Sequence, residues 1–248
     1  MIKGLEKLVE KDYPGRLIII GSDRTGKSTI VLYAITGRSP SSQSRKIEYS
    51  DHKFFVKPTD ESILKTGNVD LLIYPAIFLS EGIVVSNGKQ TDDIQAASKV
   101  AGDAAQILKM SMEKWEYEPD APTYTPRISG CVLSPENAAL SIIKRSEDGS
   151  AERKYFEIPL LHGQGKMIST YTGENKDPLP SFGNYPEDIS LDCSSAKDMA
   201  DAVYEAMKPK GMSSADFRVA VACVYCDIVD SSQYTYSIIN RSERDKTK

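Results

Sequence analysis

Apolar residues along the chain gather in short runs bounded by glycine, proline, asparagine and serine, a pattern that favours strands over helices. Leu17–Ile20 is such a run. Thr29–Thr36 is another, with Thr29, Ile30, Val31, Tyr33, Ile35 and Thr36 all β-branched or aromatic. Further strands are predicted at Ile47–Val56, Val69–Phe78 (with Pro75 at a bulge or edge), Gly82–Ser86, Ile128–Leu133, Ala138–Arg145, Lys154–Leu161, Met167–Tyr171, Arg218–Tyr225 and Tyr234–Ile239. Asn87-Gly88 and Glu147-Asp148-Gly149 supply turn signals.

Only two long helices are predicted. In one, Thr91 is the cap, Asp92 and Asp93 complement the dipole, and Ile94, Ala97, Ala101, Ala104 and Leu108 share a face that runs to about Trp115. In the other, Ser194 or Ser195 is the cap and Met199, Val203 and Ala206 face inward. Met1–Asp12 reads as a short surface helix, and Glu118–Arg127 and Glu174–Asp192 as proline-rich loops.

One stretch admits two incompatible readings. Gly21-Ser-Asp-Arg-Thr-Gly26-Lys27-Ser28 satisfies G-x-x-x-x-G-K-[ST] and follows an apolar run, as a phosphate-binding loop does. A helix would then begin at Lys27, with backbone N–H groups around a phosphate. Alternatively, Ser22–Gly26 is the turn of a β-hairpin. The rest of the chain favours the hairpin. Strands joined by short turns are antiparallel, whereas a phosphate-loop enzyme needs a parallel sheet with repeated crossover helices.

Composition narrows the class. At 248 residues, with 40% hydrophobic and 27% charged residues, the chain is expected to form a single globular domain over 1–248, with 1–12 as an extension and 241–248 as a charged tail. A net charge of −4 argues against broad nucleic-acid or anionic-membrane binding. No apolar run approaches a membrane span, and the first residues lack the apolar centre of a signal peptide, so a cytoplasmic protein is expected. Cys223-Val-Tyr-Cys226 has metal or redox spacing, but in a strand residues three apart face opposite sides, which makes buried filler the expected role.

Several separated segments, taken in order, carry a family resemblance. They are Tyr13-Pro-Gly-Arg16, Gly37-Arg-Ser39 with Arg45 downstream, Ile73-Tyr74, Val84-Val-Ser-Asn-Gly88 with Thr91-Asp92, Tyr117-Glu118, Thr125-Pro-Arg-Ile128 and Ile168-Ser-Thr-Tyr171. The chain resembles the archaeal-type IMP cyclohydrolases. The resemblance implies an α+β fold, a four-layer αββα sandwich like that of the N-terminal-nucleophile hydrolases. It departs from the pattern in its first twelve residues, in a longer Arg38–Arg45 loop and in extra length near Gly173–Asp192. The start Met1-Ile2-Lys3 offers no N-terminal nucleophile, in keeping with a scaffold used for ring closure.

The implied reaction closes 5-formamidoimidazole-4-carboxamide ribotide to IMP. The carboxamide nitrogen attacks the formyl carbon, and water leaves. Such a reaction needs orientation, an oxyanion donor, proton exchange and an anchor for the 5′-phosphate. The resemblance makes Tyr74, Glu118 and Arg45 the catalytic candidates. Arg38, Ser39, Asn87, Asp92, Arg127 and Tyr171 become substrate-binding candidates, and Arg16 is expected to be structural. Attack within one molecule demands no metal or organic cofactor. The partner implied is a small purine ribotide, with neither nucleic acid nor membrane, and a homo-oligomer is compatible with this reading. The alternatives are a P-loop nucleotide hydrolase or kinase using Gly21–Ser28, and a non-catalytic nucleotide-binding protein on the same scaffold.

Overall fold

The structure, a computed structural model, describes residues 4–60, 73–100, 102–211 and 214–244. Among these residues thirteen strands form two sheets, and every strand pairing within them is antiparallel. The first sheet has the order β11 (Glu187–Ser190), β10 (Gln164–Ser169), β1 (Arg16–Ser22), β2 (Ser28–Thr36), β12 (Arg218–Asp227) and β13 (Tyr234–Asn240). The second runs in sequence order through β3 (Arg45–Ser50), β4 (Lys53–Pro58), β5 (Tyr74–Leu79), β6 (Ile83–Ser86), β7 (Arg127–Ser134), β8 (Asn137–Arg145) and β9 (Ala151–Glu157). The helices are α1 (Glu6–Val9), α2 (Pro40–Gln43), α3 (Gln90–Ser98), α4 (Ala104–Met112), α5 (Ala196–Ala206) and α6 (Arg241–Arg244).

Alternation along the central strands divides the apolar residues between cores. Ile18 and Ile20 of β1, with Val31, Tyr33 and Ile35 of β2, enter a core shared with Ile47, Phe54, Tyr74, Ile128 and Leu140 of the second sheet. Leu17, Ile19, Ile30, Leu32 and Ala34 face the other way, onto Met199, Ala200 and Val203 of α5 and onto Leu8 of α1. A third core joins Val84, Cys131 and Ala139 to Ile94 of α3 and to Ile107 and Leu108 of α4. Because β1 and β2 are buried on both faces, they read as unbroken apolar runs and not as alternating ones. Contact across the shared core is close: a Cβ on Gly130 of β7 would stand 2.5 Å from Ile20 Cδ1. Cys223 and Cys226 fall in different cores, as strand periodicity predicts.

The Gly21–Ser28 stretch is the turn of the β1–β2 hairpin. Ser22 pairs with Thr29, and Lys27 precedes a strand, not a helix. The donors that a phosphate would need are taken within the turn. The carboxylate of Asp23 accepts from the N–H groups of Thr25 (3.3 Å) and Ser28 (2.9 Å), and Thr25 Oγ1 accepts from that of Lys27 (3.3 Å). The P-loop alternative is therefore set aside.

Other boundaries also differ from expectation. The predicted Ile47–Val56 strand is a hairpin, β3–β4, whose turn residues Asp51 and His52 both have positive φ (48° and 59°), as a tight hairpin turn requires. The helix predicted from Thr91 to about Trp115 is two helices. The second has its own cap, Asp103, whose Oδ1 accepts from Gln106 N at 2.7 Å. Thr91 is not the first cap: α3 starts at Gln90, and Thr91 Oγ1 bonds Gly88 O (2.9 Å). Ser195, not Ser194, caps α5. The strands predicted at Lys154–Leu161 and Met167–Tyr171 both begin three residues earlier and end four and two residues earlier, so Ile158, Leu160 and Tyr171 lie beyond β9 and β10. The Val69–Asp70–Leu71–Leu72 part of another prediction lies outside the described residues, as does Ala101. Among the described residues no helix is long and apolar enough to cross a membrane.

The turn separates two otherwise similar substitutions. Gly26 has φ +70°, and a Cβ there would stand 2.1 Å from His162 Nε2. Gly26→Ala is expected to destabilise the fold by roughly 1–3 kcal/mol, and Lys27→Ala to stay within about 0.5 kcal/mol of wild type. Thermal denaturation of the two variants side by side checks this.

Candidate active site

Where the hairpin base meets the start of the second sheet, a cavity of about 400 Å³ opens. Its lining comes from distant parts of the chain: Tyr13 and Arg16 at the entry to β1, Arg38, Ser39, Ser41 and Ser42 around α2, and Arg45 opening β3. Glu118, Asp120, Thr123 and Thr125 come from the loop after α4, and Tyr171 and Leu179 follow β10. Of the residues expected from sequence, the cavity brings together Arg38, Ser39, Arg45, Glu118 and Tyr171.

Arg16 and Arg45 are both buried, at 8% and 6% exposure, and the charge of Arg16 is felt at Arg45. Burial lowers the pKa of Arg45, and the neighbouring Arg16 lowers it further. Arg16 is driven the opposite way: its burial is outweighed by Tyr74, Tyr33, Tyr13 and Glu118. Among the described residues, Arg16 Nε and Arg45 Nε and Nη1 are buried with no hydrogen-bond partner. Buried donors of this kind cost stability, and strongly so on a charged group. A polar or anionic ligand lying against the pair would offset that cost.

Glu118 is held beside them. Its N–H donates to Thr125 O (2.9 Å), and its carboxylate lies 4.0 Å from Arg127 Nη1. Burial raises its pKa to about 7, against the lowering influence of Arg16, Arg127 and Arg45 and with some help from Asp120. A carboxyl group poised there exchanges protons readily at neutral pH.

The remaining candidates hold this arrangement from behind. The hydroxyls of Tyr74 and Tyr33 bond each other at 2.8 Å in the shared core, and neither residue lines the cavity. Asn87 spends its amide on the protein. Its Nδ2 donates to Pro126 O (2.9 Å) and Glu118 Oε1 (3.4 Å), while its Oδ1 accepts from Ile128 N (2.9 Å) and Gln90 Nε2 (3.1 Å). Arg127 donates to Glu116 O (2.7 Å) and Gln90 Oε1 (3.0 Å), with its guanidinium 4.7 Å from the Trp115 ring centre. Both residues therefore brace the Glu118 loop. Asp92 is exposed on the first turn of α3 and does not line the cavity.

At the cavity mouth Arg38 stacks 5.4 Å from the Tyr13 ring centre and pairs with Asp177 (2.9 Å) and Asn175 (3.1 Å). The extra length near Gly173–Asp192 thus lies against the site. Arg16, expected to be structural, lines the cavity instead. Its one sequence signal is a charge abutting a fully apolar strand. Asp120 and Thr123 carried no such signal, because their place depends on how a proline-rich loop closes.

These features define an α+β protein of two antiparallel sheets with an arginine-rich cavity that holds a buried carboxyl group whose pKa is raised to about 7. Residues 13–230 match the IMP cyclohydrolase-like protein family, and the chain belongs to that family. No protein of curated function matches it in sequence. Among solved structures it is similar to Anbu from Hyphomicrobium sp. strain MC1, with 10% identity over 93% of this chain and 89% of that one and a TM-score of 0.34.

The unpartnered arginine allows function and stability to be separated. Arg45→Met removes a buried charge and keeps much of the volume, so its melting temperature is expected to equal or exceed that of wild type. Affinity for an anionic ligand is expected to fall at least tenfold. Paired thermal melts and ligand titrations measure both.

Proposed function

We propose that the chain is an IMP cyclohydrolase, which closes 5-formamidoimidazole-4-carboxamide ribotide to IMP with loss of water. The observation that carries this reading is Glu118, a buried carboxyl with a pKa near 7, set beside two buried arginines with unpartnered donors and belonging to a family of matching name. In it Glu118 takes the proton that the carboxamide nitrogen loses on attack and returns a proton to the hydroxyl that leaves as water. Arg45, with Arg16, stabilises charge on the formyl oxygen. Tyr74 acts from behind the wall, through its bond to Tyr33.

Arg38, Ser39, Ser41 and Ser42 suit the 5′-phosphate, since they supply a guanidinium and three hydroxyls at the more exposed end. Tyr171 contacts the remainder of the ribotide. Asn87 and Arg127 position the Glu118 loop, and Asp92 serves the α3 dipole. The three separate cores support a four-layer αββα order of the kind seen in N-terminal-nucleophile hydrolases. The reading includes a cytoplasmic compartment.

The test is turnover of the purified formamido ribotide, followed by hypoxanthine absorbance across pH. The sign follows from the base role. Glu118 must be ionised to accept the carboxamide proton, so kcat/KM is expected to rise with pH through about 7 and then level off. Glu118→Gln is expected to lose at least 100-fold in kcat and to abolish that limb. No turnover by wild-type protein at any pH would end the proposal.

A further inference from the structure

The hydrogen bonds around Asp120 have a direction that can be read from the donors available. Asp120 Oδ1 accepts from Thr125 N–H at 2.7 Å, and Asp120 Oδ2 accepts from the Thr125 hydroxyl at 2.5 Å. A threonine hydroxyl carries one proton. Once that proton is given to the carboxylate, Thr125 Oγ1 can only accept. The Tyr171 hydroxyl lies 2.8 Å from it, so the proton between them belongs to Tyr171. The opposite arrangement would leave two oxygens facing each other with no proton between them, in a place where Thr125 and Tyr171 are only 4% and 3% exposed.

We propose that Asp120 and Thr125 fix the polarity of Tyr171, so that its phenolic oxygen meets the cavity as an acceptor for a hydroxyl or N–H donor on the ligand. Asp120, Thr125 and Tyr171 all line the cavity. The ring of Tyr171 is kept in place by stacking on Tyr13, with centres 5.7 Å apart, and its backbone by Ser169 Oγ, which donates to Tyr171 O at 2.7 Å. With its proton committed to Thr125, Tyr171 cannot donate to an oxyanion. Its oxygen keeps a lone pair, made more basic by the chain of bonds ending on a carboxylate. Tyr171 is thus a recognition residue, and Asp120 and Thr125 are positioning residues that act through it. The inference rests on the ribotide reading only for the identity of the donor. A ribotide offers two sources, the ribose hydroxyls and the N–H groups of the base.

Two measurements test it. The first needs no ligand: neutron diffraction of the exchanged protein should place the Tyr171 deuteron on the line to Thr125 Oγ1. A deuteron pointing into the cavity overturns the proposal. The second is calorimetric titration with IMP. Tyr171→Phe should weaken binding about five- to tenfold, the loss of one neutral hydrogen bond. Asp120→Asn should weaken it at least as much. Its amide would donate to Thr125 Oγ1, reverse the chain and turn the Tyr171 proton towards the ligand donor. Unchanged affinity in Tyr171→Phe overturns the proposal.

Repeating the titration with 2′-deoxy- and 3′-deoxy-IMP identifies the source. If Tyr171→Phe costs a deoxy ligand nothing further, the missing hydroxyl is the donor. If the full loss persists with both, the donor is on the base. If wild-type protein does not bind IMP, the ribotide reading falls and the deuteron position alone decides the polarity. Should Asp120→Asn fail to fold, the diffraction and Tyr171→Phe results still decide.

Discussion

The β1–β2 hairpin, buried on both faces, is the constraint on which the structure depends. One face of the pair supplies the core between the sheets and the other the core beneath α5. Each fully buried isoleucine or leucine contributes about 1.5–3 kcal/mol, so the seven in these two strands account for a large share of the driving force. Pairing over seven consecutive positions, Arg16 with Ile35 through Ser22 with Thr29, leaves the register no freedom. That register places Arg16 at the edge of the core, where the apolar strand ends and the cavity begins.

From that position the site can be understood as an electrostatic conflict that the fold tolerates. Two arginines are drawn into a cavity wall where neither finds a full set of partners. The groups around them only partly compensate: Tyr33 and Tyr74 behind and Glu118 at the side, the last pulled towards neutrality by its own burial. A protein selected for stability alone would replace such a cluster with apolar side chains. Its retention at the meeting point of both sheets is what a binding or catalytic role would explain.

The loop from Glu116 to Arg127 shows how that cluster is held without regular secondary structure. Asp120 closes the loop on Thr125, the Glu118 N–H reaches Thr125 O, and Asn87 and Arg127 tie its ends to β6, α3 and β7. Nearly every polar group in this region is paired to the protein.

Much of the fold was legible along the chain. Short β-branched runs, turn signals at Glu147-Asp148-Gly149 and the scarcity of long helices determined an antiparallel α+β protein, because strand and turn preferences are local. They favoured a hairpin over a phosphate loop at Gly21–Ser28 despite its matching motif, and the pairing of β1 with β2 settled the choice. The family could also be recognised, since its short segments keep their order. What local chemistry could not reveal was which side chains share a cavity. Arg16 looked structural, Asn87 and Asp92 looked ready to bind substrate, and Asp120 carried no signal. Tertiary structure decided that Arg16 and Asp120 line the cavity and that Asn87 and Asp92 do not, because burial and unpaired donors arise only when segments distant in the chain are packed together.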